Sequence, residues 1–169
     1  QLQPKQFPAN VAAMKPEAIG PHIFMCMIGG GHFAAMIVAL SPAKRNHTQI
    51  GPMAKEAIVV CHKTFHRYTT RRKQGGSQSA NDSAKGAAHS AGAGIRRYNE
   101  AALKDEVRDL LAEWKGLIDT SELCFVRATG TENRRTVFGD YEGRPAVLDG
   151  NGKDERVRGF PFNTRRATQ

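Results

Sequence analysis

Between Ala57 and Asn81 the chain carries no acidic residue, while Lys63, Arg67, Arg71, Arg72 and Lys73 supply five positive charges. The run continues into Gly75-Gly76-Ser77-Gln78. A glutamine amide is neither acid nor base, but it donates and accepts hydrogen bonds at once and can hold a water or an oxyanion in place. Glycines ahead of it let the backbone enter a narrow space. Clustered cations beside small residues suit a polyanion backbone, where they displace counterions and permit close approach. Phe65 and Tyr68 interleave with the charges and have faces on which bases can stack. The competing assignment is a solvated basic loop whose aromatics turn to the core.

Other chemistries are poorly supported by the spacing. His62 and His66 lie four apart, on the same face of a strand, but no third ligand stands at convincing spacing, so no metal is expected. Together with His89 they are the candidates for proton transfer near neutrality. Neither Gly29-Gly30-Gly31 nor Gly75-Gly76 leads into Gly-Lys-Ser/Thr, and no GxGxxG opens a helix, which disfavours a nucleotide cofactor. Ser77 and Ser79 lack the GxSxG elbow of a serine hydrolase. Cys26, Cys61 and Cys124 are odd in number, each inside an apolar run and without CxxC spacing, and read as buried free thiols of a reducing compartment. No cofactor is implied.

The elements that must position these residues can be read in outline. At 169 residues, net charge +9 and 40% hydrophobic content, the chain has the size of one domain and enough apolar residues for a core. Disorder and a disulfide-stapled miniprotein are both excluded. The longest apolar stretch, 23–40, is interrupted by Gly29-Gly30-Gly31-His32, and each half falls short of the roughly 20 residues of a membrane helix. The chain opens on Gln1 without a leader and reads as an excised intracellular domain. Pro4, Pro8 and Pro16 predict an extended arm over 1–20, ahead of a folded domain over 21–169.

Residues 22–28 and 33–40 predict a hairpin of central strands, buried on both faces, and 57–68 a third strand ending in the basic cluster. Over 73–94, 15 of 22 residues are Gly, Ala or Ser, which predicts a mobile loop. Ile95, Tyr98, Ala102, Leu103, Val107, Leu110, Leu111, Trp114, Leu117 and Ile118 recur at helical spacing and predict one long amphipathic helix over 95–119. A strand follows at 123–128, a short helix or turn at 131–139, a surface hairpin at 140–154 around Asn151-Gly152, and an edge strand at 160–162. Strands, a long helix and further strands make an α/β domain with a central mixed sheet, monomeric by default.

The runs His62-Lys63-Thr64-Phe65-His66-Arg67-Tyr68-Thr69, Arg71-Arg72-Lys73-Gln74-Gly75-Gly76-Ser77-Gln78-Ser79, His89-Ser90-Ala91-Gly92 and Arg96-Arg97-Tyr98-Asn99-Glu100 are more specific than any of this. They resemble the Vms-type release-factor-like (VLRF) domain, from about residue 22 to 166. That family is similar to the catalytic domain of the eukaryotic translation termination factor, which implies an RNase-H-like α/β fold. The family's G-x-x-Q form matches Gly75-Gly76-Ser77-Gln78. By resemblance Gln78 is the catalytic glutamine, Arg67 the basic residue needed for activity, and Tyr68 a neighbour that positions RNA. Arg71, Arg72 and Lys73, with Gly75, Gly76 and Ser77, form the RNA-binding loop.

The resemblance implies a ribosome-associated quality-control enzyme that cleaves peptidyl-tRNA on stalled large ribosomal subunits, cutting within the tRNA 3′ CCA end. Ester hydrolysis, as in a termination factor, is one alternative; a non-catalytic RNA- or ribosome-binding module is the other. Cytoplasmic location, stress-dependent recruitment to mitochondria, and contact with an AAA-type segregase through regions outside this chain are implied in the same way.

Overall fold

The run before the glycine triplet buries every second residue, and the run after it does so until Ile37 and Val38, which are both buried. The structure, a computed structural model, describes residues 15–40, 58–69, 91–139, 145–150 and 153–164. His22–Gly29 (β1) and His32–Ala39 (β2) pair antiparallel from Gly29 opposite His32 to His22 opposite Ala39. Gly30 and Gly31 make the turn at φ of 60° and 80°, both positive as a type I′ hairpin requires. Phe24, Cys26 and Ile28 are buried, whereas Ile23, Met25 and Met27 are only partly covered. One face of the hairpin is therefore deep and the other shallower, where continuous apolarity predicts burial on both. The helical residues of the core join the first set alone.

Ile58–His66 (β3) extends the sheet antiparallel to β2, with a register shift at Ile37/Val38 that leaves Val60 buried in a bulge. The helix Ala91–Glu113 (α2) and the short helix Lys115–Asp119 (α3) lead to Leu123–Ala128 (β4), which pairs parallel with β1. Thr131–Phe138 (α4) and Val157–Arg158 (β5) complete the order β3-β2-β1-β4-β5, a mixed five-stranded α/β sheet. Leu103, Val107, Leu110, Leu111, Trp114, Leu117 and Ile118 pack over Phe24, Cys26, Phe33, Ile37 and Cys124. Each large aliphatic removed from water there stabilises the fold by about 1.5–3 kcal/mol.

Several expectations need correction. The arm over 1–20 contains a one-turn helix, Pro16–Ile19 (α1), with Pro16 in the first helical position, where a missing N–H costs nothing; residues 1–14 lie outside the described residues. The helix predicted over 95–119 is two helices. Trp114, at φ −90° and ψ 4°, leaves helical geometry, and the turn lets Leu117 and Ile118 drop onto the sheet beside the buried indole. Ile95 and Tyr98, assigned by spacing to the apolar stripe, are 57% and 71% exposed. The edge strand is Val157–Arg158, not 160–162, because pairing with β4 runs through Cys124 and Phe125. Phe160 instead packs its ring 6.0 Å from that of Phe125. Of the 140–154 hairpin, the described residues 145–150 form no strand, and Asn151-Gly152 lie outside them.

Two polar knots close the ends of the sheet. The His22 ring, 1% exposed, lies with Nδ1 2.7 Å from the Gly20 carbonyl oxygen and Nε2 2.8 Å from that of Leu117, joining β1 to α3. Arg156 grips Asp154 with Nε and Nη2 at 3.0 and 2.8 Å, and its Nη1 donates to the Asp119 carbonyl at 2.6 Å. That carbonyl ends α3 without a helical partner, so the guanidinium supplies both the bond and a charge suited to the helix terminus. The same grip holds the Asp154 carboxyl below its usual range. The thiols are protonated, because burial pushes Cys61 and Cys124 up to about 11 and Cys26 higher still.

The turn also carries weight at a distance. The Arg67 amide donates to the Gly31 carbonyl at 2.8 Å, and a Cβ on Gly31 would stand 2.2 Å from the Arg67 carbonyl oxygen. A Cβ on Gly30 would meet nothing within 4 Å. Gly30→Ala should therefore cost only the left-handed backbone penalty of about 1–2 kcal/mol, while Gly31→Ala adds a backbone clash and should cost roughly 1–3 kcal/mol more. Denaturant midpoints of the two variants measure the difference, and equal losses would refute it.

Candidate functional site

Residues 67–69 leave the end of β3 as the last described residues before 91, so the Gly75-Gly76-Ser77-Gln78 segment is strung between Thr69 and the start of α2. The departing strand is held three times. Its amide at Arg67 is bound by the hairpin turn. The Arg67 side chain forks the Glu106 carboxylate on α2, Nε to Oε2 at 2.9 Å and Nη2 to Oε1 at 2.6 Å. Asn99, also on α2, donates its Nδ2 to the Tyr68 carbonyl at 2.9 Å. Asn99 and Glu106 are seven residues apart, two turns or about 10 Å along one helix face, so consecutive residues of the strand are clamped by two levels of the helix.

The electrostatics of the fork are those of a matched pair. The hydrogen bond to Glu106, together with its charge, holds the Arg67 guanidinium above its ordinary range, and the nearby Tyr98 phenol acts in the same direction. Glu106 is held below the usual carboxylate range, chiefly by its bond to Arg67. Both side chains remain about one-third exposed, at 32% and 35%. A guanidinium has five N–H groups, and this fork uses Nε and one on Nη2, so Nη1 stays outside it and can serve a phosphoryl oxygen. Glu106 has no signal in local sequence. Its partner lies 39 residues away, and the clue is negative, since Arg67 sits in an acid-free stretch and must find its carboxylate elsewhere.

The other predicted residues divide. Tyr68 is 46% exposed beside the clamp. His66 stacks on His32 across the β2–β3 pair, ring centroids 4.1 Å apart, next to the turn. His62 is exposed four residues back, roughly 13 Å along the strand, and so away from Arg67. Phe65 does not interleave with the charges as a free stacking face: it packs 5.8 Å from buried Phe33, with the Lys63 ammonium 5.9 Å from its ring. Arg71, Arg72, Lys73, Gly75, Gly76, Ser77, Gln78 and His89 lie outside the described residues, as does the loop predicted over 73–94 up to residue 90; its last four residues are instead the first turn of α2. Among the described residues no group of three His, Cys, Asp or Glu could hold a metal ion, and no helix is long and apolar enough to cross a membrane. A cavity of about 220 Å³ lined by Arg134, Phe138, Asp149 and Arg158 lies at the β4–β5 edge, opposite the clamp.

Known proteins resemble this chain over most of its length. Residues 23–169 match the Bacteroidetes VLRF1 release factor family. The chain is 48% identical over 144 residues to the tRNA endonuclease vms1 of Schizosaccharomyces pombe, covering 85% of the chain and 22% of that relative. It is 45% identical over 146 residues to the tRNA endonuclease VMS1 of Saccharomyces cerevisiae, covering 84% and 22%, and 35% identical over 173 residues to the tRNA endonuclease ANKZF1 of Homo sapiens, covering 99% and 21%. It thus spans about a fifth of the length of these relatives. A solved structure, the Vms1 mitochondrial localization core, has the same fold at TM-score 0.56 and 24% identity, over 88% of this chain and 50% of that one. The family match takes in all five strands, the clamp on α2 and the Gly75-Gly76-Ser77-Gln78 segment, and the chain belongs to the VLRF1 release factor family.

Proposed function

We propose that this chain is the catalytic domain of a ribosome-associated quality-control enzyme that cleaves peptidyl-tRNA on stalled large ribosomal subunits and cuts the RNA within the 3′ CCA end. The observation that carries the reading is the clamp at Arg67 and Tyr68, which anchors one stem of a segment bearing the family's G-x-x-Q form. The relatives named as tRNA endonucleases support the substrate. A net charge of +9 suits an RNA partner. Large-subunit and segregase partners, cytoplasmic location and recruitment to mitochondria follow the family resemblance, with the segregase bound by regions outside this chain.

Cutting RNA at a phosphate needs a 2′-OH in line with the leaving 5′-oxygen, and charge stabilised on the phosphoryl oxygens. In this reading Gln78 orients the reacting groups and Arg67 offers its Nη1 edge to a phosphoryl oxygen while Glu106 fixes its plane. Arg71, Arg72 and Lys73 bind the RNA backbone, and His66 is the proton-transfer candidate nearest to Arg67 in sequence. Glu106 is then a positioning residue.

Mapping the tRNA 3′ end after incubation with stalled peptidyl-tRNA on large subunits tests the reaction. A shortened end that disappears with Gln78→Leu is expected. A complete CCA end with freed peptide would mean ester hydrolysis, and undiminished cleavage by Gln78→Leu would remove the glutamine from the mechanism. For the positioning role, Glu106→Ala should lower turnover about 10- to 100-fold, with part of the loss restored by Glu106→Asp. A carboxyl held low in the folded state stabilises it only while ionised, so the stability gap between wild type and Glu106→Gln should be full at neutral pH and close as pH falls through the lowered Glu106 range. A gap that persists in acid would show that the charge is not what Glu106 contributes.

A further inference from the structure

The buried face of α2 begins in its first turn with Ala93, 9% exposed, and continues through Leu103 and Val107. Ile95 and Tyr98 lie off that face, at 57% and 71% exposed. They are three residues apart, hence neighbours on the helix surface. Asn99 next to Tyr98 holds the Tyr68 carbonyl at 2.9 Å, and Tyr68 is itself 46% exposed. Arg97, beside Tyr98, is also exposed. Two tyrosines and an isoleucine thus lie open at the place where the Gly75-Gly76-Ser77-Gln78 segment is tied to the fold, close to a guanidinium that already has its carboxylate.

Exposed tyrosines among cations are the parts of a single-strand stacking site, since every base has a π-face and its phosphate needs a donor nearby. A protein partner would bury such a patch with carboxylates or apolar groups of its own, but the local charge is positive and the chain carries +9, which favours a polyanion.

We propose that Tyr98, backed by Ile95 and Tyr68, is a substrate-binding residue on which an unpaired nucleobase of the tRNA 3′ end stacks, with the adjoining phosphate at Arg67. The inference rests on the tRNA-cleaving function proposed above and assigns the surface that registers the strand against the catalytic segment. Tyr98 is a tyrosine because the ring supplies the face; its hydroxyl is dispensable for stacking.

Binding of a short single-stranded RNA ending in CCA tests this, with the same strand lacking its bases as the comparison. In Tyr98→Trp, Trp114 is 2% exposed, so the new indole at the surface reports stacking by its fluorescence. Quenching by the CCA strand and none by the abasic strand is expected. Tyr98→Phe should keep the affinity of the wild type, and Tyr98→Leu should weaken it about tenfold with an unchanged salt slope. Equal affinity of the Leu and Phe variants, equal binding of the two strands, or no binding by the wild type would overturn the proposal. Cleavage by the wild type separates the two readings: if it leaves the tRNA 3′ end complete, the tRNA-cutting function falls while stacking, measured by binding alone, still stands. If stacking is absent while Gln78-dependent cleavage persists, only the stacking role of Tyr98 falls.

Discussion

The fork between Arg67 and Glu106 closes a loop of 39 residues, and everything proposed for this domain depends on where that loop is closed. The conformational freedom of the intervening chain is limited first by its ends. One end is fixed by a strand whose amide, side chain and next carbonyl are all bound; the other is a helix whose Leu103, Val107, Leu110 and Leu111 lie in the core. An exposed ion pair alone contributes little. Here it acts with a backbone bond to a glycine turn and an amide bond two helical turns away, so the three together fix direction as well as place.

This arrangement explains why the hairpin turn and the helix face belong to the site as much as the residues that touch substrate. Gly31 admits the Arg67 carbonyl because it has no Cβ, and α2 carries Asn99 and Glu106 at a spacing of seven because that spacing repeats one face of a helix. The sheet supplies the floor: β2 brings the turn, β3 brings the arginine, and buried Phe33, Ala35 and Ile37 of β2 with Val60 of β3 lock their register.

Sequence reasoning reaches far where a pattern is local. The β1–β2 hairpin is legible from a glycine triplet between β-prone runs, and β4 from six residues with two buried positions. It falls short where a distant partner decides. The break at Trp114 follows from the indole's burial against the sheet, and nothing in the helical spacing marks it. The two-residue β5 is a strand only because β4 offers it an edge. Phe65 looks like a stacking face in sequence and is claimed by Phe33 through strand register. Conversely, Ile95 and Tyr98 look like core and are open, because they turn away from the buried face that Ala93, Leu103 and Val107 share. For the site, motif similarity proposes Arg67 and Gln78, but Glu106 and Asn99 emerge as partners of the Arg67–Tyr68 segment only in three dimensions.

The parallel pairing of β1 with β4 has a consequence for how the chain is made. β1 and β2 are joined by two glycines and can pair as soon as both are synthesised, but the other edge of β1 waits for Leu123–Ala128, about 90 residues later. At synthesis rates of about 5–20 residues per second, that edge stays open for roughly 5–20 s on every nascent copy. An unpaired row of amides and carbonyls flanked by Phe24, Cys26 and Ile28 is a template for mispairing. A domain proposed to rescue stalled nascent chains thus passes, during its own synthesis, through an interval in which a stall downstream of β1 would leave it aggregation-prone.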